Sequence, residues 1–152
     1  MKTILDYPEL VACTVAWSAS SVLKRPIYYL MHRKLNLKLA FSTGGMPSSH
    51  SATVTSTTLA IGLFSGFDHP AFAIAVAITG IVIYDAAGVR REAGVHAEAL
   101  NKLMDEWFLI SKTPPAEQKR LKEMLGHTPV EVIGGVLTGL VTALVLWLVW
   151  PK

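Results

Sequence analysis

The segment 132–150, VIGGVLTGLVTALVLWLVW, most strongly limits how this chain can fold, because it contains no charged residue. A helix at the surface of a soluble domain would carry a polar stripe at 3.6-residue spacing, and this segment has none. Three further segments are also apolar, although the second is rich in Ser and Thr, and each approaches the ~20 residues that a helix needs to cross a bilayer. The predicted spans are Leu10–Met31, Ser51–Phe67, Ala71–Ala87 and Val132–Trp150.

This pattern predicts an all-α fold, a polytopic membrane helix bundle of about four transmembrane helices in a single domain over residues 1–152. A soluble all-α domain is the competing interpretation, and segment 132–150 argues against it. Between the third and fourth spans, Val95–Ile110 has apolar and charged residues on opposite faces. It predicts an amphipathic cytoplasmic helix that lies in the membrane interface or packs under the bundle. AEQKRLKEMLG, at 116–126, predicts a second, shorter and mostly polar helix.

The positive charges predict the orientation of the bundle. Four spans place both termini and the turn at 66–70 on one side, and segments 32–46 and 88–131 on the other. Of the 14 Lys and Arg residues, only Lys2 and Lys152 lie on the first side. The positive-inside rule then predicts a multi-pass protein of the cell membrane with both long loops in the cytoplasm and both termini outside. This asymmetry accounts for the net charge of +3, and no aromatic residues interleave the cations as in a nucleic-acid site.

Residues that can carry chemistry converge on the cytoplasmic side although they are far apart in sequence. Ionisable groups at membrane depth are costly, and they mark functional sites by default. Each also has a structural alternative: the arginines could be topology anchors, Asp85 could pair with an arginine, and Glu131 could complete a capping box with Thr128. The group consists of Lys24, Arg25, His50, Asp85, Arg90, Arg91, His127 and Glu131.

The stretch GGMPSSHSA, at 44–52, predicts an anion site at the start of the second span. The unpaired N–H groups of a helix N-terminus bind anions, and Gly44 and Gly45 let the backbone approach a ligand closely. Lysine and arginine side chains add charge-assisted bonds to phosphate oxygens. Two histidines beside such a pocket indicate phosphoryl transfer, in which one attacks phosphorus and the other protonates the leaving oxygen. No step requires a metal or another cofactor, and no metal-ligand spacing is evident.

At these residues the chain resembles the type 2 phosphatidic acid phosphatase superfamily, which includes the vanadium haloperoxidases. PSSH, at 47–50, resembles its Pro-Ser-Gly-His motif, and HTPVE, at 127–131, is similar to its His-x-x-x-Asp element with glutamate in place of aspartate. Together with YDAAGVRREAG, at 84–94, these motifs look like the divergent bacterial and plant branch of the superfamily. The resemblance implies that the catalytic residues are His127 as nucleophile, His50 as general acid and Glu131 as the orienter of His127, with Ser48 and Ser49 as phosphate contacts.

The chain departs from the superfamily pattern in its cationic residues. The sequence RP at 25–26 matches the first motif, but position 18, where the pattern has lysine, is serine. The arginine expected six residues before the final histidine is also missing, because position 121 is leucine. The residues assigned in their place are Lys24, Arg90 and Arg91 as phosphate-binding residues, with Asp85 and Arg25 in support.

The resemblance implies a metal-independent phosphatase whose substrate is a phosphomonoester lipid of the inner leaflet, such as phosphatidic acid or phosphatidylglycerophosphate. The alternative is a non-catalytic protein that binds or transports an anionic lipid and retains the phosphate pocket. Gly135 and Gly139 form a Gly-x-x-x-Gly step in the fourth span, which brings two helix backbones close together. That step fits either a contact inside the bundle or the seam of a homodimer.

Overall fold

The computed structural model describes residues 6–33, 45–111, 121 and 126–151, and the ordered elements of this part are helices. The predicted all-α class is confirmed. The second helix continues through a π-helical turn, Ile61–Ser65, and Gly88 separates the third helix from the fourth. The helices are α1 (Pro8–His32), α2 (Ser49–Ala60), α3 (Pro70–Ala87), α4 (Val89–Ser111) and α5 (Pro129–Val149).

Among the described residues, two helical stretches are long and apolar enough to cross a membrane, Pro70–Trp107 and Pro129–Val149. Their large apolar side chains point outward, as Val76 (48% exposed) and Leu148 (71% exposed) illustrate. An apolar exterior of this kind suits a lipid environment. The other two predicted spans, in α1 and in α2 with its π-helical turn, are less apolar and pack beside α5. The architecture is that of an all-α membrane bundle.

The helices alternate in direction, which brings the ends of distant segments together. At one end the hydroxyl of Ser65 donates to the Glu9 carboxylate over 2.7 Å, and the rings of Phe64 and Trp150 lie 5.8 Å apart. At the other end the rings of His50 and His127 lie next to each other in an edge-to-face arrangement. The starts of α2 and α5 and the end of α3 therefore meet at one end of the bundle.

The centre of the bundle is α2, which packs most extensively against α5 through small residues. A Cβ atom on Gly135 would lie 2.4 Å from the Ser48 carbonyl oxygen, and one on Gly139 would lie 2.5 Å from that of Ala52. Hydrogen at these positions lets the two backbones touch. The internal contact predicted for the Gly-x-x-x-Gly step is therefore confirmed.

The amphipathic helix is longer than predicted, because α4 begins at Val89, directly after Gly88, rather than at Val95. Its first turns, RREAG, lack the apolar periodicity that marked the later part, so the pattern missed them. The helix contacts the bundle through α3. The side-chain Nδ2 of Asn101 donates to the carbonyl of Leu121 over 3.0 Å, and its Oδ1 accepts from the backbone N–H of Leu121 over 3.1 Å. The short helix predicted at 116–126 lies outside the described residues except for Leu121 and Gly126.

Candidate functional site

The turn before α5 places His127 in the interior of the bundle. Its backbone N–H donates to the carbonyl of Ala86 over 2.9 Å, which ties the turn to the last turn of α3. Gly126 precedes it at a φ of +81°, a conformation that favours glycine. A Cβ there would lie 2.5 Å from the backbone nitrogen of Arg91, so position 126 also has no room for a side chain. His127 is consequently only 3% exposed.

Glu131 orients the His127 ring and caps α5 with the same oxygen. Its Oε2 lies 3.1 Å from His127 Nδ1 and accepts from the backbone N–H of Thr128 over 3.0 Å. The Thr128 hydroxyl in turn accepts from the Glu131 N–H, which completes the predicted capping box. The carboxylate also accepts from the backbone N–H of Gly45. The capping and orienting roles that the sequence suggested for Glu131 therefore coincide.

This arrangement leaves the other ring nitrogen of His127 available for reaction. A carboxylate accepts hydrogen bonds, so Nδ1 is assigned as the donor, and in the neutral ring Nε2 then presents a lone pair. Within the described part of the chain, Nε2 is buried and has no hydrogen-bond partner. A buried polar atom without a partner is uncommon and calls for an explanation. A ligand bound at Nε2 would supply one.

His50 faces His127 from the first turn of α2. The two ring centroids are 6.0 Å apart and the ring planes meet at 62°. Although His50 as a residue is exposed, its ring forms part of the cavity wall, and loss of water there lowers the pKa of His50 below its usual value. The positive charges of Arg90 and Lys24 lower this pKa further, as does the His127 ring when it is protonated, and Asp85 opposes them. The neutral ring is therefore favoured when no anion is bound.

A cavity of about 250 Å³ lies between the two histidines and the junction of α3 with α4. The side chain of Arg90 reaches it and pairs with Asp85, with Nε and Oδ2 2.6 Å apart. This confirms the interpretation that Asp85 pairs with an arginine. The wall on the α3 side is largely apolar. The lining residues are His50, Ile81, Val82, Asp85, Ala86, Arg90, Gly126 and His127.

The remaining predicted phosphate contacts lie around this cavity in different settings. Ser48 is fully buried as the N-cap of α2, where its hydroxyl oxygen accepts from the N–H and the hydroxyl of Ser51. Ser49 is half-buried in the first turn, while Arg25 and Arg91 are exposed. Lys24 is 2% exposed and interacts electrostatically with Glu131 and His50. Their contacts with phosphate stay predictions.

The family of the chain follows from its similarity to known proteins. Residues 5–142 match the family described as the Divergent PAP2 family. The chain belongs to this family. It is also 41% identical to "Uncharacterized membrane protein YuiD" of Bacillus subtilis (strain 168), over 96% of this chain and 97% of that protein. No solved structure matches the chain. The resemblance to a divergent branch of the superfamily is thereby confirmed, and the protein is PAP2-related and membrane-associated.

Sequence reasoning missed several residues that build the site of this Divergent PAP2 family member. The carbonyl of Ala86 and the apolar wall of Ile81 and Val82 carry no motif, because their roles depend on where α3 ends. Gly45 was expected to approach a ligand, whereas its N–H binds Glu131. The sequence did indicate a role for Gly126, since glycine is favoured where the turn before a helix requires a positive φ.

Proposed function

We propose that this protein is a membrane phosphatase that hydrolyses the phosphomonoester of a lipid, of the phosphatidic acid or phosphatidylglycerophosphate type, on the cytoplasmic face of the cell membrane. The observation that carries the proposal is the hydrogen bonding of the two ring nitrogens of His127. Its Nδ1 is held by a carboxylate, and its Nε2 has no hydrogen-bond partner among the described residues. Its ring lies 6.0 Å from the His50 ring, and both residues line a cavity. This is the arrangement that a histidine nucleophile requires.

In the first step, the lone pair of His127 Nε2 attacks phosphorus. The new N–P bond forms as the bond between phosphorus and the ester oxygen breaks. The leaving oxygen takes a proton from the His50 imidazolium, which releases the lipid alcohol. Glu131 stabilises the positive charge that the His127 ring acquires in the phosphohistidine.

In the second step, a water molecule attacks phosphorus and gives a proton to the now neutral His50. The N–P bond breaks, its electron pair returns to His127, and inorganic phosphate leaves. Both histidines are then restored to their starting states. The low pKa of the free His50 ring suits its role as base in this step, and the negative charge of a bound phosphate would favour the protonated ring that the first step needs.

The phosphate oxygens have several donors available around the cavity. Arg90 is one of its lining residues, and the positive end of α2 lies in the turn that carries Ser49 and His50. We assign Arg90 as the principal contact, with Ser49, Lys24 and Arg91 nearby. No metal ion takes part in either step.

A non-catalytic lipid-binding protein is the second candidate, and one observation favours it. Ser48 is committed to its cap, Lys24 lies close to Glu131, and Nε of Arg90 is bound to Asp85. Fewer donors are therefore at hand for the phosphate than the superfamily pattern implies. Such a protein would bind the lipid phosphate without turnover.

The test is release of inorganic phosphate from phosphatidic acid by the purified full chain in detergent, in the presence of EDTA. We expect His127→Ala to lose activity by a factor on the order of a thousand or more, because the nucleophile is gone. His96→Ala is the control, since His96 is exposed on α4. Lipid binding without phosphate release would establish the second candidate. Activity that depends on Mg²⁺ would contradict the metal-free mechanism.

A further inference from the structure

The last turn of α3 holds two parts of the site through consecutive residues. The Ala86 carbonyl accepts from the His127 backbone N–H over 2.9 Å. The Asp85 carboxylate binds the side chain of Arg90, which lies in the first turn of α4, beyond Gly88. The candidate nucleophile and the candidate phosphate clamp are thus fixed to the same short piece of backbone.

The contact between Asp85 and Arg90 leaves most of the guanidinium available. Asp85 Oδ2 binds Nε, at 2.6 Å. A guanidinium has five N–H donors, so four remain on the two terminal nitrogens. Within the described residues, these nitrogens have no protein acceptor, and Arg90 lines the cavity. A carboxylate that binds at Nε restrains the long side chain while the end that forms bidentate bonds with phosphate stays free.

The pair is too exposed to matter much for folding. The side chains of Arg90 and Asp85 are 52% and 36% exposed, and ion pairs at such positions contribute little to stability. A flexible arginine loses conformational entropy when it binds phosphate. If Asp85 already holds the side chain in one rotamer, this entropic cost of phosphate binding is smaller. The pair therefore contributes more to phosphate binding than to the stability of the fold.

We infer that Asp85 is a positioning residue, which holds the Arg90 guanidinium beside His127 so that its terminal nitrogens bind the phosphate group of the substrate. The inference rests on the proposed function for the identity of the substrate, but its central claim concerns phosphate binding and is testable without turnover. Asp85 does not touch the reacting atoms and acts through Arg90.

The test measures binding of orthovanadate, an analogue of phosphate, to the purified full chain in detergent. We expect Asp85→Asn to raise the dissociation constant about tenfold, because a weaker neutral hydrogen bond replaces the charge-assisted bond that restrains the guanidinium. If the lipid is hydrolysed, KM should rise by a similar factor while kcat changes little. The thermal unfolding midpoint should stay unchanged. Glu98→Gln is the matched control. Glu98 forms an exposed pair with Lys102, with Oε1 and Nζ 2.7 Å apart, and this pair lies away from the cavity.

A double-mutant cycle decides whether Asp85 acts through Arg90. In an Arg90→Met background, Asp85→Asn should weaken vanadate binding by less than about twofold, because there is no guanidinium left to position. An equal effect in both backgrounds would overturn the inference, as would Asp85→Asn binding vanadate like the wild type. A fall in kcat at unchanged KM would also overturn it, since Asp85 would then act on the chemistry. Vanadate binding that depends on the pair in a protein without phosphatase activity would support the inference and refute the proposed function.

Discussion

The residue that links folding most directly to chemistry is Glu131. One of its oxygens caps α5 through Thr128 and also holds Nδ1 of His127. The superfamily pattern has the shorter aspartate at this position. Glutamate is the residue that a capping box requires three positions after threonine, so the helix start itself delivers the carboxylate to the ring.

Glu131→Gln separates the two roles. The amide oxygen still accepts from Thr128, so we expect stability to fall by only about 1 kcal/mol, as for a weakened N-cap. The amide cannot stabilise a positively charged His127 ring, so phosphatase activity should fall on the order of a hundredfold or more. Thermal unfolding and phosphate release on the same preparation measure the two effects. Glu106→Gln on the exposed part of α4 should change neither, and a Glu131→Gln protein with full activity would remove Glu131 from the mechanism.

At the scale of the elements, the contact between α2 and α5 sets the distance between the two histidines. Each histidine lies at the start of one of these helices, and Gly135 and Gly139 allow the two backbones to touch below them. In lipid, close packing of this kind replaces the hydrophobic effect as the source of helix association. Separating the helices would therefore separate the rings.

Gly139→Leu should destabilise the bundle and reduce phosphate release, because any side chain there meets the Ala52 carbonyl and the backbone nitrogen of Ser56. The expected loss of stability is about 2 kcal/mol or more, as for other overpacked contacts. Gly80→Leu on α3 is the matched control, since a Cβ at Gly80 meets nothing within 4 Å. If Gly139→Leu is as stable and active as Gly80→Leu, the contact does not position the site.

At the scale of the whole molecule, the alternating helices put the site and the start of α4 at the same end. Four cationic residues of the described part of the chain lie there too: Lys24, Arg25, Arg90 and Arg91. Lys and Arg are retained on the cytoplasmic side of membrane proteins. The orientation with the site in the cytoplasm and both termini outside follows from that rule and stays a prediction.

Cysteine labelling tests the orientation. In a chain with Cys13→Ala, a cysteine in place of the exposed His96 should react with an impermeant maleimide only when the cytoplasmic face is accessible. A tag after the C-terminal residue should be detectable from outside intact cells. The reverse pattern would place the site outside and favour a lipid phosphate of the outer leaflet, such as a polyprenyl phosphate.

The sequence by itself determined the features whose causes are local. The apolar runs predicted where α3 and α5 lie, because length and polarity alone decide whether a helix suits a membrane. The capping box of Thr128 and Glu131 was equally readable, since its hydrogen bonds close within four residues. The histidine motifs also predicted the candidate site, because their resemblance to a known family does not depend on packing.

Only the tertiary structure decided the features that join distant segments. Ser48 matched a phosphate-binding motif, yet packing of α5 against its carbonyl buries it as a cap. The pairing of Asp85 with Arg90 and the bond from His127 to Ala86 depend on where α3 stops and how the chain returns to it. Periodicity and motifs describe neighbours along the chain, whereas hydrogen bonds and close backbone contacts between helices arise from neighbours in space.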